Sequence, residues 1–292
     1  MMFRRLLVCT DFSDGLQRLV NFVPSLAIAG VEHLTFLHCV PLNESGAIPR
    51  VDQDKMNAAR DRLSVAIAQT PAGMDVKVVV ECGRPTDTIL KVAKEANSDL
   101  IVVGTPVRGV LAEKIFGSTA IALYERTPIP VLALRPQLIS TYTTEELALR
   151  CQHLFRHLML PYDGSETAKY LIDQIKQHVS QPDRVLEACY ICWVLDDVDR
   201  RGIPWEPKFQ AAEAALAAVK AELIRLDLQV ETEVLLGSAV PEILKASLEP
   251  DISAIAVCHR AKNQFLKMSV ASFTAELLRQ SWHPVIYLPF KK

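Results

Sequence analysis

The sequence predicts two doubly wound α/β domains, and three observations carry that prediction. Short apolar, β-rich runs alternate with helical stretches along the whole chain. The runs show no polar alternation, as expected of parallel strands covered on both faces. The pattern also occurs twice. Gly104 is followed thirteen residues later by Gly117-Ser118, and Cys258 thirteen residues later by Ala271-Ser272. The same frame is therefore present in both halves, with its glycines kept only in the first. A period this long indicates domain duplication, not a solenoid.

In the first half, strands are expected near 4–10, 33–40, 75–82, 99–104 and 130–135, with helices near 14–29, 53–69, 86–97 and 118–126. Pro24 inside the first helix should kink it. In the second half, strands fall near 157–162, 184–193, 228–236, 252–258 and 284–289, and helices near 166–179, 207–226, 240–248 and 271–280. The alanine-rich stretch from Ala211 to Glu222 is a strong helix former. The run ending at Asp11 repeats in the run ending at Asp163, Glu81–Leu90 in Leu235–Leu244, and Pro130–Leu134 in Pro284–Leu288. Each half is expected to form a five-stranded parallel sheet, with domains at 1–138 and 156–292. The join, 139–155, holds a short helix capped by Thr143 or Thr144.

Half of the 292 residues are apolar and 23% are charged, a globular composition. Lys plus Arg total 32 against 34 acidic residues, which offers no electrostatic case for nucleic acid. The apolar run before Thr10 is too short for a signal peptide, and no run reaches the length of a membrane span, so no membrane insertion is expected. Seven cysteines scattered through apolar segments read as reduced core residues of a cytoplasmic protein.

In an open α/β sheet, ligands sit at the carboxyl ends of strands where the strand order reverses. Asp11 and Gly104 follow the first and fourth apolar strands, where that point should fall. Gly104 lets backbone approach a ligand, and Gly117-Ser118 opens a helix whose free N–H groups suit an anion. Arg108 and Lys114 lie on the intervening loop. Ordinary turn and cap chemistry explains the same residues equally well.

The whole chain resembles a tandem universal stress protein, two family domains in one polypeptide. The resemblance rests on Gly104-Thr-Pro-Val107, then nine residues, then Gly117-Ser118, against the nucleotide-binding pattern G-x2-G-x9-G-(S/T). Val8-Cys-Thr-Asp11-Phe-Ser-Asp14 and Leu37-His-Cys-Val40 also look like family signatures. The resemblance implies a Rossmann-like fold of the adenine nucleotide alpha hydrolase kind. It implies that Asp11 and Val40 bracket an adenine with Thr10 beside them. Val103 and Gly104 would lie along the ribose and phosphates, and Gly117, Ser118 and Thr119 would hold the phosphates. Val107 departs from the pattern, a β-branched residue where a glycine is expected. The implied ligand is ATP or AMP, with Mg²⁺ neutralising a triphosphate; no carboxylate names itself as a ligand of that ion beyond Asp11 and Glu113. The resemblance also implies that Pro130–Arg135 and Pro284–Phe290 pair edge to edge, making an intramolecular pseudo-dimer. Further association as a homodimer stays open.

In the second half, Cys258, Ala261 and Ala271 take the three glycine positions, and Trp193 or Val194 stands near the adenine position. Two weaker candidates are Cys189-Tyr-Ile-Cys192, whose spacing falls in a strand, and His153 with His157 beside Cys151. No catalytic assembly stands out. The leading reading is a non-enzymatic, stress-related regulator that binds adenine nucleotide in its first domain and shows a changed surface to a protein partner. The alternatives are a scaffold without nucleotide and a slow ATP-hydrolysing enzyme.

Overall fold

The computed structural model describes residues 3–13, 15–42, 51–105, 118–181, 184–196, 206–259 and 273–290. The chain divides into two compact units, residues 3–152 and 153–292.

In the first unit the order is β1 (Arg5–Cys9), a 3-10 helix (Leu16–Phe22), α1 (Val23–Ile28), β2 (His33–Val40), α2 (Gln53–Ala68), β3 (Asp75–Cys82), α3 (Pro85–Glu95), β4 (Leu100–Gly104), α4 (Ser118–Arg126) and β5 (Val131–Leu134). Two further helices follow, α5 (Pro136–Thr141) and α6 (Thr144–Gln152). Parallel pairing gives the sheet order β3-β2-β1-β4-β5. Central strands are buried at consecutive positions: Leu6, Leu7 and Val8 in β1, Leu100 to Val103 in β4. Consecutive burial requires helices on both faces, which is why these runs lack alternation. The edge strand β3 exposes Asp75 and Lys77, which pair with each other at 3.1 Å. Helix α2 packs on β2 and β3 through Met56, Ala59, Leu63 and Ala66, one stripe at helical spacing.

The single helix expected over 14–29 is instead a 3-10 segment followed by an α-helical one. The change comes at Val23, and Pro24 falls in the first turn of α1. Proline lacks an N–H, so it fits where the helix leaves that donor unused. The Arg18 guanidinium, on the 3-10 segment, donates to the carbonyls of Ile139 and Tyr142 and ties down the end of α5. Helix α6 starts with a capping box: Thr143 Oγ1 accepts from Glu146 N at 3.3 Å, and Glu146 Oε2 accepts from Thr143 N at 2.8 Å. Both helices thus belong to the first unit.

The second unit runs β6 (His157–Pro161), α7 (Glu166–Val179), β7 (Ala188–Leu195), α8 (Glu206–Ile224), β8 (Gln229–Leu236), α9 (Ala239–Ala246), β9 (Ala254–His259), α10 (Phe273–Gln280) and β10 (Val285–Pro289). Its parallel sheet has the order β8-β7-β6-β9-β10, the same topology as the first. Strand β7 begins four residues later than expected. Leu186 is buried but precedes the ladder, which starts where Ala188 pairs with His157.

Candidate functional site

The strand order reverses between β1 and β4, so the crevice of the first unit opens at their carboxyl ends. Thr10 and Asp11 directly follow β1, Val103 and Gly104 end β4, and α4 opens at Ser118 and Thr119. The Thr105 amide donates to the Leu134 carbonyl at 2.9 Å and holds the chain in line with β5 as it leaves the strand. Gly117, and with it Val107, Arg108, Glu113 and Lys114, lies outside the described residues. Val40 ends β2, one strand over. Its side chain is fully buried, and its carbonyl accepts from Gly83 N at 3.2 Å.

Thr10 organises the turn. Its amide donates to the Leu37 carbonyl at 3.0 Å, continuing the β1–β2 ladder. Its carbonyl accepts from His38 Nδ1 at 2.8 Å; because a carbonyl only accepts, Nδ1 carries the proton. Its Oγ1 accepts from Phe12 N at 3.0 Å. Asp11 is exposed, and its Oδ1 accepts from Ser13 N at 2.8 Å and from Ser13 Oγ at 2.7 Å, an Asx turn.

Sequence reasoning gave Phe12 no role, yet it is the most distinctive residue of this turn. Its φ is 65°, in the left-handed region. The other described non-glycines there are Asn97 and Asp227, each just beyond a helix and of a type that tolerates the conformation. The Phe12 ring packs against the cluster of Val40, Met56, Ala59 and Val80. The His38 ring lies 4.3 Å from it at an interplanar angle of 31°, and the Arg62 guanidinium of α2 sits 4.4 Å from its centroid.

The second unit repeats the backbone and changes the side chains. Tyr162 N donates to the Cys192 carbonyl at 2.9 Å, as Thr10 does to Leu37, and Asp163 Oδ1 accepts from Ser165 N at 3.0 Å, as Asp11 does from Ser13. Asp163 and Asp11 therefore share a turn-forming role. Ser165 also caps α7, accepting from Ala168 N at 3.2 Å. Matching the registers sets Trp193 opposite His38 and Leu195 opposite Val40, which corrects the expectation of Trp193 or Val194 at the latter place. The later start of β7 is the cause. Gly164 stands where Phe12 does and shares its conformation, with φ 73°. Matching the buried stripes of α2 and α8 sets Ala215 opposite Arg62. Tyr162 meets Trp193 edge to face, with centroids 5.6 Å apart. The counterparts of the phosphate loop lie outside the described residues.

The weaker candidates separate. Cys189 and Cys192 are both buried in β7, and burial pushes each thiol up to about 12. Helix α6 ends at Gln152 and His157 opens β6, where its Nδ1 lies 2.9 Å from the Asp251 carbonyl, so the two histidines share no helix face. Among the described residues no group of three or more His, Cys, Asp or Glu side chains could hold a metal ion. A cleft of about 650 Å³ in the second unit, lined by His157, Ala188, Glu231, Glu249 and Ile252 among others, reaches the amino ends of β6 and β7, the opposite end from the crevice.

The fold defines a tandem pair of doubly wound domains, each with a crevice at its switch point. The Universal stress protein family model matches residues 2–135 and 154–289, and the chain belongs to that family. A universal stress protein from Archaeoglobus fulgidus superposes with a TM-score of 0.71 at 18% identity, covering 99% of this chain and 98% of that one. A functionally unknown protein from Pseudomonas aeruginosa PAO1 gives 0.59 at 15% identity over 98% and 92%. A universal stress protein in complex with cAMP is 22% identical over 47% of this chain and 99% of its own, with a TM-score of 0.34. No curated protein matches the chain. No described helix is long and apolar enough to cross a membrane.

Proposed function

We propose that this chain is a stress-related regulatory protein of the cytoplasm that binds an adenine nucleotide, ATP or AMP, in its first domain and carries out no catalysis. The observation that supports this most is the switch point itself, where Thr10-Asp11 follow β1, Val103-Gly104 end the neighbouring β4, and α4 begins at Ser118. Thr10, Asp11 and Val40 would surround the base. Val103 and Gly104 would follow the ribose, and Gly117, Ser118 and Thr119 would hold the phosphates, with Mg²⁺ accompanying a triphosphate. Bound nucleotide would order the surface around the crevice that a protein partner reads. The second domain, with Cys258, Ala261 and Ala271 in place of glycines, is proposed as structural. The edge strands β5 and β10 are proposed to pair the domains as an intramolecular counterpart of a dimer.

Calorimetric titration with ATP, ADP and AMP, with and without Mg²⁺, tests this reading. One site per chain is expected, abolished by Gly117→Trp and untouched by Ala271→Trp. Absence of binding in a protein with a native unfolding curve favours the scaffold. Sustained phosphate release from ATP favours a slow hydrolase.

A further inference from the structure

We propose that two copies of this chain associate through the outer edge of β3, in an antiparallel register centred on Val79. The inference is independent of nucleotide binding and assigns the first domain a second surface.

Strand β3 ends the first sheet. It pairs with β2 residue for residue from Asp75 to Cys82, without a bulge, and among the described residues no strand pairs with its other side. The ladder shows which groups that side offers. Asp75 N donates to the Glu32 carbonyl at 2.8 Å and Gly83 N to the Val40 carbonyl at 3.2 Å, so the main-chain groups of odd-numbered residues face β2. The N–H and C=O groups of Val76, Val78, Val80 and Cys82 therefore point outward. A long, regular, valine-rich edge is a template for pairing with another chain.

Charge selects the partner and the register. An antiparallel copy sets outward groups opposite outward groups, which leaves Lys77, Val79 and Glu81 at the close, non-hydrogen-bonded pair positions. With the register centred on Val79, Lys77 lies opposite the partner's Glu81, Glu81 opposite the partner's Lys77, and Val79 meets its own copy on the twofold axis. A register centred on Val78 instead sets Asp75 opposite Glu81 twice, and one centred on Val80 gains no ion pair. The edge strand of the second domain has the opposite character. Gln229 N donates to the Glu187 carbonyl and Gly237 N to the Leu195 carbonyl, so Glu231 and Glu233 take the close-pair positions of β8. Registers centred on Glu231, Thr232 or Glu233 all set glutamate against glutamate, which bars that edge from pairing with itself. Within one chain, Lys77 pairs with Asp75 at 3.1 Å and Glu81 with Lys91 at 2.9 Å. Such surface ion pairs are worth little, so Lys77 and Glu81 can turn to new partners at small cost.

The test is sedimentation equilibrium of the full chain, of Lys77→Glu and of the charge swap Lys77→Glu/Glu81→Lys. The parent chain is expected to dimerise. Lys77→Glu, an exposed substitution, should weaken the dimer about tenfold or more by setting glutamate opposite glutamate, and the swap should restore it. A third variant reads the register. Val79→Cys should form an intermolecular disulfide in oxidised glutathione, because close-pair Cα atoms lie about 4.5 Å apart. The parent chain, with its own cysteines, is the control and should not cross-link. Lys77→Glu and Val79→Cys decide the matter even where the swap fails to fold. A parent chain that stays monomeric overturns the proposal. So does a dimer that Lys77→Glu leaves unchanged or that Val79→Cys fails to cross-link, since either places the contact elsewhere.

Discussion

The rings of Phe12 and His38 lie 4.3 Å apart, and the residues in their places in the second domain are Gly164 and Trp193. One domain puts its bulk on the turn and the other on the neighbouring strand. A Cβ built on Gly164 would lie 3.0 Å from Trp193 Cη2, so the two arrangements exclude each other locally. Gly164→Ala should therefore destabilise the second domain by about 1–3 kcal/mol, combining left-handed strain with displacement of the indole. Urea unfolding followed by tryptophan fluorescence reads this, and an unchanged midpoint would contradict it.

The capping box at the start of α6 gives a second prediction. Thr143→Ala removes the acceptor for Glu146 N and should cost about 1 kcal/mol, whereas Thr143→Ser should be close to neutral. Denaturant midpoints of the two variants, compared at equal slope, check this.

Burial pushes the thiols of Cys151, Cys189, Cys192 and Cys258 up to about 12, and that of Cys39 to about 11. At pH 8 a thiol near 12 is ionised to roughly one part in ten thousand, against roughly a quarter for a free cysteine. Iodoacetamide labelling of those four residues in the native protein should be slower than in urea by about a thousandfold, as read by peptide mass spectrometry. Rapid native labelling at Cys189 or Cys192 would revive a redox role for the pair.

Asp99 accepts the amides of Arg4 and Arg5 at 2.9 Å each, but burial outweighs these bonds and raises its carboxyl above the ordinary 3.8. A folded value above the unfolded one means that its stabilising contribution is fully present below about pH 3.8 and is lost as pH rises through the raised value. Asp99→Asn should flatten the pH dependence of the unfolding free energy across that window. A slope identical to that of the parent chain would contradict the assignment.

Much of the fold was legible because the central strands are uninterrupted apolar runs and the repeat supplies each of them twice. Leu6-Leu7-Val8 and Leu100 to Val103 are buried on both faces, and the brevity and β-branched content of these runs mark them as strands and not buried helices. The β7 boundary was less legible, because Val185 and Leu186 extend the β-rich run ahead of the ladder. Gly104 and Asp11 could be placed at the switch point from spacing alone, since one ends an apolar run and the other follows one. Phe12 could not, because no propensity places a bulky aromatic in a left-handed turn. The available signal was the internal alignment: Phe12 stands opposite Gly164, and a glycine in one copy of a turn marks the backbone needed in the other.

The central claim is that adenine nucleotide binds in the first domain and not the second. Methyl NMR with labelled valine and leucine tests it most directly, by adding AMP to the intact chain. Val40 and Val103 are expected to shift saturably, while their counterparts Leu195 and Val257 stay still. Shifts confined to Leu195 and Val257, or no saturable shift in either domain, would contradict it.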